Sequence, residues 1–416
     1  MQKSKNSFSL LKDLFFAAGI PGYLFFSKNI LYFFITRRRV LDEYASVDNS
    51  AMLQILYVAI IFSVSLFIIF KTPQKRKILL ARPQIFLLLY VAICFLSMLW
   101  TPNLFVTGYR AFEALAYLIL ISLVAYNLMT NLNSQKIIEW SILWIMWELL
   151  WKIATLVKLG ANFSPELFLD SSRLAIPMLF FWALSLTQFK YFKYLILAIC
   201  ILSASNKIYF GIVFGLLGFF FGNSKYKGWL LVFMGSVLIT MLFVNIEEIL
   251  KHTLFYGREA VSLTNTSGRD KIWKLAWEAF LQKPLLGYGF VDGETTILYS
   301  KFSGAISTHN FLFSGLLGTG LLGTVFLILY FWSTFTKASS NLFPSAKYRP
   351  AMVSTFIMGT IISLTAPGVG ARVYGSWIPV VLIFTLTSSL HYQFKIEHYL
   401  KIIKKTTKYA NHLGNP

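Results

Sequence analysis

The chain has 416 residues, 56% of them hydrophobic and only 13% charged, with a mean hydropathy of +0.64. A soluble domain could not hide that much apolar surface, so composition alone predicts an all-α polytopic membrane protein. The formal net charge is +21. Its lysines fall mostly in short loops between apolar runs, which is the pattern of cytoplasmic loops facing anionic lipid headgroups and not of a nucleic-acid binder.

A spanning helix needs roughly 20 largely apolar residues. In chain order the runs that qualify lie near 10–35, 51–70, 84–100, 109–129, 137–159, 173–189, 192–206, 207–222, 228–246, 311–333, 351–366 and 376–391. That makes about twelve spans. Pro21, Gly22 and Lys28 interrupt the first run and no small-residue cleavage site follows it, so it does not read as a cleavable signal. Cys94 and Cys200 both sit inside apolar runs, where packing is the expected role and no disulfide framework can be built. The histidines form no His/Cys/Asp cluster at ligand spacing, so neither a metal nor another cofactor is expected.

Loop charges set the expected orientation. Lys71, Lys75, Arg76, Lys77 and Arg82 mark one face, with Lys190 and Lys193, Lys225 and Lys227, and Lys337, Lys347 and Arg349. The basic tail after residue 391 adds Lys395, Lys401, Lys404, Lys405 and Lys408. Alternation through the spans puts all of these on the cytoplasmic side. Segment 160–172 and a large loop over 247–310 then face outward, and only Arg37, Arg38 and Arg39 run against the rule. The resulting organisation is a membrane domain over 1–246, the outer loop 247–310, three last spans over 311–391, and a cytoplasmic tail over 392–416.

This orientation leaves a set of arginines on the outer side. Arg110, Arg173 and Arg372 stand at outer span ends, and Arg258 and Arg269 in the loop. Each alone is accounted for by snorkelling to lipid phosphate. Together they invite a shared anionic substrate, because the guanidinium fork matches phosphate oxygens. Glu148 and Lys152, four residues apart inside a span, read as a neutralising ion pair, with a proton relay as the sharper alternative.

The outer loop carries the chemistry. Thr266 or Ser267 can cap a helix running from about 267 to 282, with Ile272, Trp273, Ala276, Trp277, Phe280 and Leu281 toward one side. Such a helix is expected along the outer interface with its tryptophans among headgroups. It would hold Arg269 at the positive end of a helix dipole. Pro284 ends the helix, and Gly287-Tyr288-Gly289 makes a tight turn back toward the membrane. Thr308, His309 and Asn310 can cap the following span, or His309 can serve as general base for a hydroxyl at the membrane surface. Gly315, Gly318, Gly320 and Gly323 beneath it allow close helix packing.

The stretch SGRDKIWKLAWEAFLQKPLLGYGF, followed after a variable segment by STHNFLFSGLLGTGLLG, resembles the signature domain shared by O-antigen ligases and O-antigen or exopolysaccharide polymerases. The likeness covers about 267–325 in order, spacing and membrane context. It implies a C-type membrane glycosyltransferase that uses an undecaprenyl-diphosphate-linked glycan on the outer face of a bacterial inner membrane, without a metal. It implies that Arg269 engages the diphosphate and that His309 assists the acceptor hydroxyl. Many members carry a Ser-Arg pair after the seventh span, where this chain has Ser205-Asn206-Lys207, so Lys207 is the cation offered there. Arg173 and Arg372 follow from topology, not from a matched motif. The acceptor is either a second lipid-linked repeat, which makes a polymerase with a chain-length regulator as a further partner, or lipid A-core, which makes a ligase. The GYGF…THNFL pattern leans to the polymerase. A flippase for the same lipid is the alternative of another class, disfavoured by the lack of an internal repeat. Asp42, Glu43 and Asp48 lack the spacing a metal-dependent transferase needs.

Overall fold

The computed structural model describes residues 49–71, 82–130, 269–301, 307–340, 349–365 and 369–371, with short stretches at 215–219, 380–382 and 384–389 and scattered single residues. Seven α-helices order this part: α1 (Asn49–Lys71), α2 (Arg82–Leu96), α3 (Leu104–Thr130), α4 (Arg269–Gln282), α5 (Asp292–Lys301), α6 (Phe311–Ala338) and α7 (Arg349–Thr365). A single 3-10 turn, Ser97–Leu99, continues α2. Four stretches among the described residues are long and apolar enough to cross a membrane: Met52–Lys71, Arg82–Leu99, Leu104–Ala125 and Phe311–Ala338. They fall where the apolar runs predict them. The spans expected near 10–35, 137–159, 173–189, 192–206 and 228–246, apart from a single residue, and most of 207–222 lie outside the described residues, as does the start of 376–391.

Helix α6 is the centre of the assembly. It packs along α2 and contacts α7, α4 and α5, while α3 lies against α1 and α2. The core between them is built from Leu87, Tyr90 and Cys94 of α2, Tyr117, Leu118 and Ile121 of α3, and Leu327, Tyr330 and Phe331 of α6, all buried. At the C-terminal half of α6 the packing is aromatic. Phe331 lies 5.2 Å edge-on to Phe384, and Phe384 is 5.0 Å from Phe356. The other side of α6 turns outward: Leu321, Val325, Ile328 and Trp332 recur at helical spacing and are exposed, as a lipid-facing stripe must be.

Several hydroxyls inside these helices return their hydrogens to the backbone. Thr319 donates to the Gly315 carbonyl at 3.0 Å, Thr324 to Gly320 at 2.7 Å and Thr334 to Tyr330 at 2.8 Å. Buried hydroxyls in an apolar span are satisfied in this way without a partner helix. The one fully buried carboxylate among the described spans, Glu113 of α3, takes Arg110 Nη1 at 2.9 Å and the amide of Gln54 on α1 at 3.3 Å. An unpaired charge there would be expensive, and the pair neutralises it.

Helix α6 is not continuous. Gly320 has φ 65° and ψ −162°, which breaks the i to i−4 ladder in mid-span. Backbone groups freed by such a break cannot be left bare in an apolar environment. Here the segment between α4 and α5 takes them up. Tyr288 N–H donates to the Leu317 carbonyl at 2.7 Å and Gly289 N–H to Gly318 at 2.9 Å. In return Leu321 N–H donates to Pro284 at 2.8 Å and Leu322 N–H to Leu285 at 3.2 Å. Glycine is required at the crossing: a Cβ on Gly320 would run into the Leu285 carbonyl, and one on Gly287 would lie 2.6 Å from the Leu317 oxygen. Of the glycines expected to allow close helix packing, Gly318 and Gly320 admit this loop, whereas Gly315 lets the two halves of α6 approach, a Cβ there lying 3.0 Å from Thr324 and 3.1 Å from Leu327.

Candidate active site

Residues 284–301 and 307–310 are held from two sides. On one side the turn between α2 and α3 grips them. Ser97 Oγ accepts from Phe290 N–H at 3.0 Å, Thr107 Oγ1 donates to the Phe290 carbonyl at 3.1 Å, and Trp100 Nε1 donates to Leu286 at 3.1 Å. Asp292, at the start of α5, accepts from Asn103 N–H at 2.8 Å. Its position suits the positive end of the helix, and burial raises its carboxyl above the ordinary range against the pull of the Asn103 and Thr101 hydrogen bonds. Residues 286–292 and the 97–107 turn therefore share one end of the helix assembly.

On the other side stands α4. Its buried face, Ile272, Ala276, Ala279 and Phe280, rests on α6 and α5. Tyr288 folds back to donate to the Ala279 carbonyl at 2.9 Å, which closes the glycine turn onto the helix end. Trp273 stacks on Phe313 at 5.9 Å, and its indole N–H donates to the Thr308 carbonyl at 2.8 Å. Only Trp277 of the two helix tryptophans is exposed. The expectation of both rings among headgroups is corrected for Trp273, because a carbonyl partner and a stacked ring satisfy both ends of the indole inside the protein.

Residues 307–310 form the turn that bears His309. Asn310 caps α6, its side-chain oxygen accepting from Leu312 N–H at 2.9 Å and Phe313 N–H at 3.4 Å. His309 is half-buried with φ 53°, the left-handed region. A non-glycine residue held there costs on the order of 1–2 kcal/mol, so the surrounding contacts must over-determine it. They do. Glu294, from the first turn of α5, is fully enclosed, and one oxygen of it, Oε1, accepts from Thr308 N–H at 2.7 Å, Ser314 Oγ at 2.8 Å, Thr308 Oγ1 at 2.9 Å and Ser307 Oγ at 3.4 Å. Ser307 Oγ in turn accepts the His309 N–H at 3.2 Å. Burial raises the Glu294 carboxyl above its ordinary range, and the four donors work against that rise.

The sequence-predicted site residues divide accordingly. Arg269 is the first residue of α4, and Trp273 stands one turn, about 6 Å of helix rise, after it. The Trp273 to Thr308 bond therefore fixes the helix that begins at Arg269 against the turn that carries His309. Arg110 lies three residues beyond Thr107 on α3 and pairs with Glu113. Arg173, Lys207, Arg258 and Arg372 lie outside the described residues. The segment just before Arg372 is described: Tyr90 donates to the Gly370 carbonyl at 2.8 Å, and a Cβ on Gly370 would lie 2.7 Å from the carbonyl of Phe311, two residues past His309.

Sequence reasoning passed over Glu294, Asp292 and Ser307. The available signal was the Asp-Gly-Glu run of 292–294, two acids in a first helical turn within an otherwise cation-rich chain.

Compared with protein families, residues 192–328 match Wzy_C, described as O-antigen ligase. The match spans less than half of the chain but includes Arg269, Glu294 and His309. No curated protein matches the chain. Residues 192–328 are thus a Wzy_C O-antigen ligase domain in a multi-pass membrane protein, and that domain implies a membrane glycosyltransferase of the O-antigen ligase and polymerase type acting on lipid-linked glycans.

Proposed function

We propose that the protein transfers a glycan from undecaprenyl diphosphate to the hydroxyl of an acceptor sugar at the outer face of the inner membrane, and that the reaction is polymerisation. The observation that supports the transfer chemistry is the 2.8 Å bond from Trp273 to the Thr308 carbonyl, which holds the Arg269 helix and the His309 turn in one register, and the choice of polymerisation rests on the GYGF…THNFL pattern. In a single displacement the acceptor oxygen bonds to the anomeric carbon, the bond to the diphosphate oxygen breaks, and the acceptor proton goes to the imidazole of His309. The leaving diphosphate is stabilised by Arg269 at the positive end of α4, with Arg110, Arg173, Lys207, Arg258 and Arg372 as further cations for diphosphate or glycan. Neutralising the leaving group supplies more of the rate than proton removal, and the clamped loop supplies the orientation.

Ligation to lipid A-core is the second reading, favoured by the family's own description as O-antigen ligase. Both use the same donor chemistry and differ in the acceptor. The break in α6 at Gly320 is a device that transporters also use, but here its freed backbone groups are taken up by 284–289 and the break serves to seat the loop. Incubating purified protein with the lipid-linked repeat, with and without lipid A-core, decides among the three. A ladder of products supports polymerisation and a single shift of the core supports ligation. Movement of labelled lipid between leaflets with no new glycosidic bond would sink both.

A further inference from the structure

We propose that Glu294 is a positioning residue that sets His309 for proton abstraction through the Ser307–Thr308 turn. The inference rests on the reading of His309 as the base and goes beyond it by naming what holds the base in place.

Four hydrogen bonds from Ser307, Thr308 and Ser314 converge on one carboxylate oxygen. Thr308 is tied to Glu294 Oε1 twice, by its amide at 2.7 Å and its hydroxyl at 2.9 Å, so both its backbone and its χ1 rotamer are fixed. Ser314, one turn into α6, donates to the same oxygen at 2.8 Å. Ser307 links the anchor to the histidine: it donates to Glu294 at 3.4 Å and accepts the His309 amide at 3.2 Å. The residue between these anchors and the Asn310 cap is the one with φ 53°. A left-handed histidine flanked by bonds to a single acceptor would relax toward negative φ once the acceptor is gone, and its imidazole would swing with it. Glu294 comes from α5, whose start is held by Asn103 through Asp292, so the anchor is itself fixed to α3 and does not travel with the turn.

The required chemistry is a hydrogen-bond acceptor at Oε1. Glutamine keeps an acceptor at that atom, whereas alanine leaves the Thr308 amide and three hydroxyl contacts without one. The test compares Glu294→Ala, Glu294→Gln, Ser307→Ala and His309→Ala in a reconstituted transfer assay with the lipid-linked repeat, with the unfolding midpoint measured for each. Glu294→Ala is expected to lose about 100-fold in kcat with KM for the donor little changed, since a misplaced base costs turnover and not binding. Glu294→Gln is expected to recover to within about fivefold of wild type, the loss of one ordinary hydrogen bond. Full kcat in Glu294→Ala, or Glu294→Gln as poor as Glu294→Ala, would overturn the proposal. If the alanine variant does not fold, Ser307→Ala decides, with about a fivefold fall in kcat at an unchanged midpoint as the expected result and an unchanged kcat as the contrary one. His309→Ala separates the two levels. Wild-type transfer in that variant removes the base reading itself. An inactive His309→Ala beside fully active Glu294→Ala and Ser307→Ala removes only the positioning role.

Discussion

N-terminal to Gly320, helix α6 has ring contacts of Phe311 with Phe331 and Phe313 with Trp273, but it also carries a set of directional hydrogen bonds: the Asn310 cap, the Ser314 bond to Glu294, and the reciprocal exchange between 284–289 and the broken ladder. C-terminal to Gly320, the same helix is held by rings, with Phe331 against Phe384 and Phe384 against Phe356, and its polar atoms turned back onto its own carbonyls. The two kinds of contact do different things. Ring packing removes a large apolar area with little demand on direction, and it supports stability. Hydrogen bonds weaken steeply with angle and distance, so a set of them converging on one turn fixes geometry. Chemistry is expected at the end where direction is specified.

Substitutions can separate the two ends. The largest loss of stability is expected from Phe384→Ala, about 3–5 kcal/mol, seen as a lower unfolding midpoint in detergent. The molecules that remain folded are expected to transfer glycan at the wild-type rate. Gly320→Ala comes next, at about 1–3 kcal/mol for the forbidden backbone conformation, and the displaced loop is expected to cost transfer as well. An active Gly320→Ala would break the contrast. Trp273→Phe keeps the stacking on Phe313 and removes only the bond to Thr308, at about 0.5–1.5 kcal/mol. It is expected to lower kcat about tenfold by loosening Arg269 from His309.

The smallest effect is one of pH. Burial raises both Asp292 and Glu294 above their ordinary carboxylate values. An acid raised in the folded state contributes stability that is fully present below its unfolded value and is lost as pH rises through the folded value. The unfolding midpoint is therefore expected to fall as pH climbs above the ordinary carboxylate range. Asp292→Asn with Glu294→Gln is expected to flatten that slope, and an unaltered slope would place the titrating groups elsewhere.

The parts of the fold written in local chemistry were legible in the sequence. Apolar runs near 51–70, 84–100 and 109–129 became helices with ends within a few residues, because length and hydropathy decide a span. The helix expected over 267–282 is Arg269–Gln282, and Asn310 caps the next one. Helix α5 was not legible, since Asp292–Lys301 is short, polar and without an apolar stripe. The same holds for the break at Gly320: four glycines spaced through a span suit close helix packing as well as they suit a gap, and only the approach of Pro284 to Gly289 distinguishes the two. Glu294 failed to declare itself for a related reason. Its role comes from Ser307, Thr308 and Ser314, which lie 13 to 20 residues further along the chain and meet it only in the fold. Trp273 looked like an interfacial anchor by composition, yet its partner carbonyl lies 35 residues away.

The central claim is that His309, set in its turn, removes the acceptor proton during glycan transfer. It is tested most directly by the initial rate of new glycosidic bond formation from the lipid-linked repeat by His309→Ala and wild-type protein, reconstituted at equal amounts with matching unfolding midpoints. A loss of about 10²–10⁴-fold is expected in the variant, the usual contribution of a positioned base. Transfer by His309→Ala at the wild-type rate would contradict it.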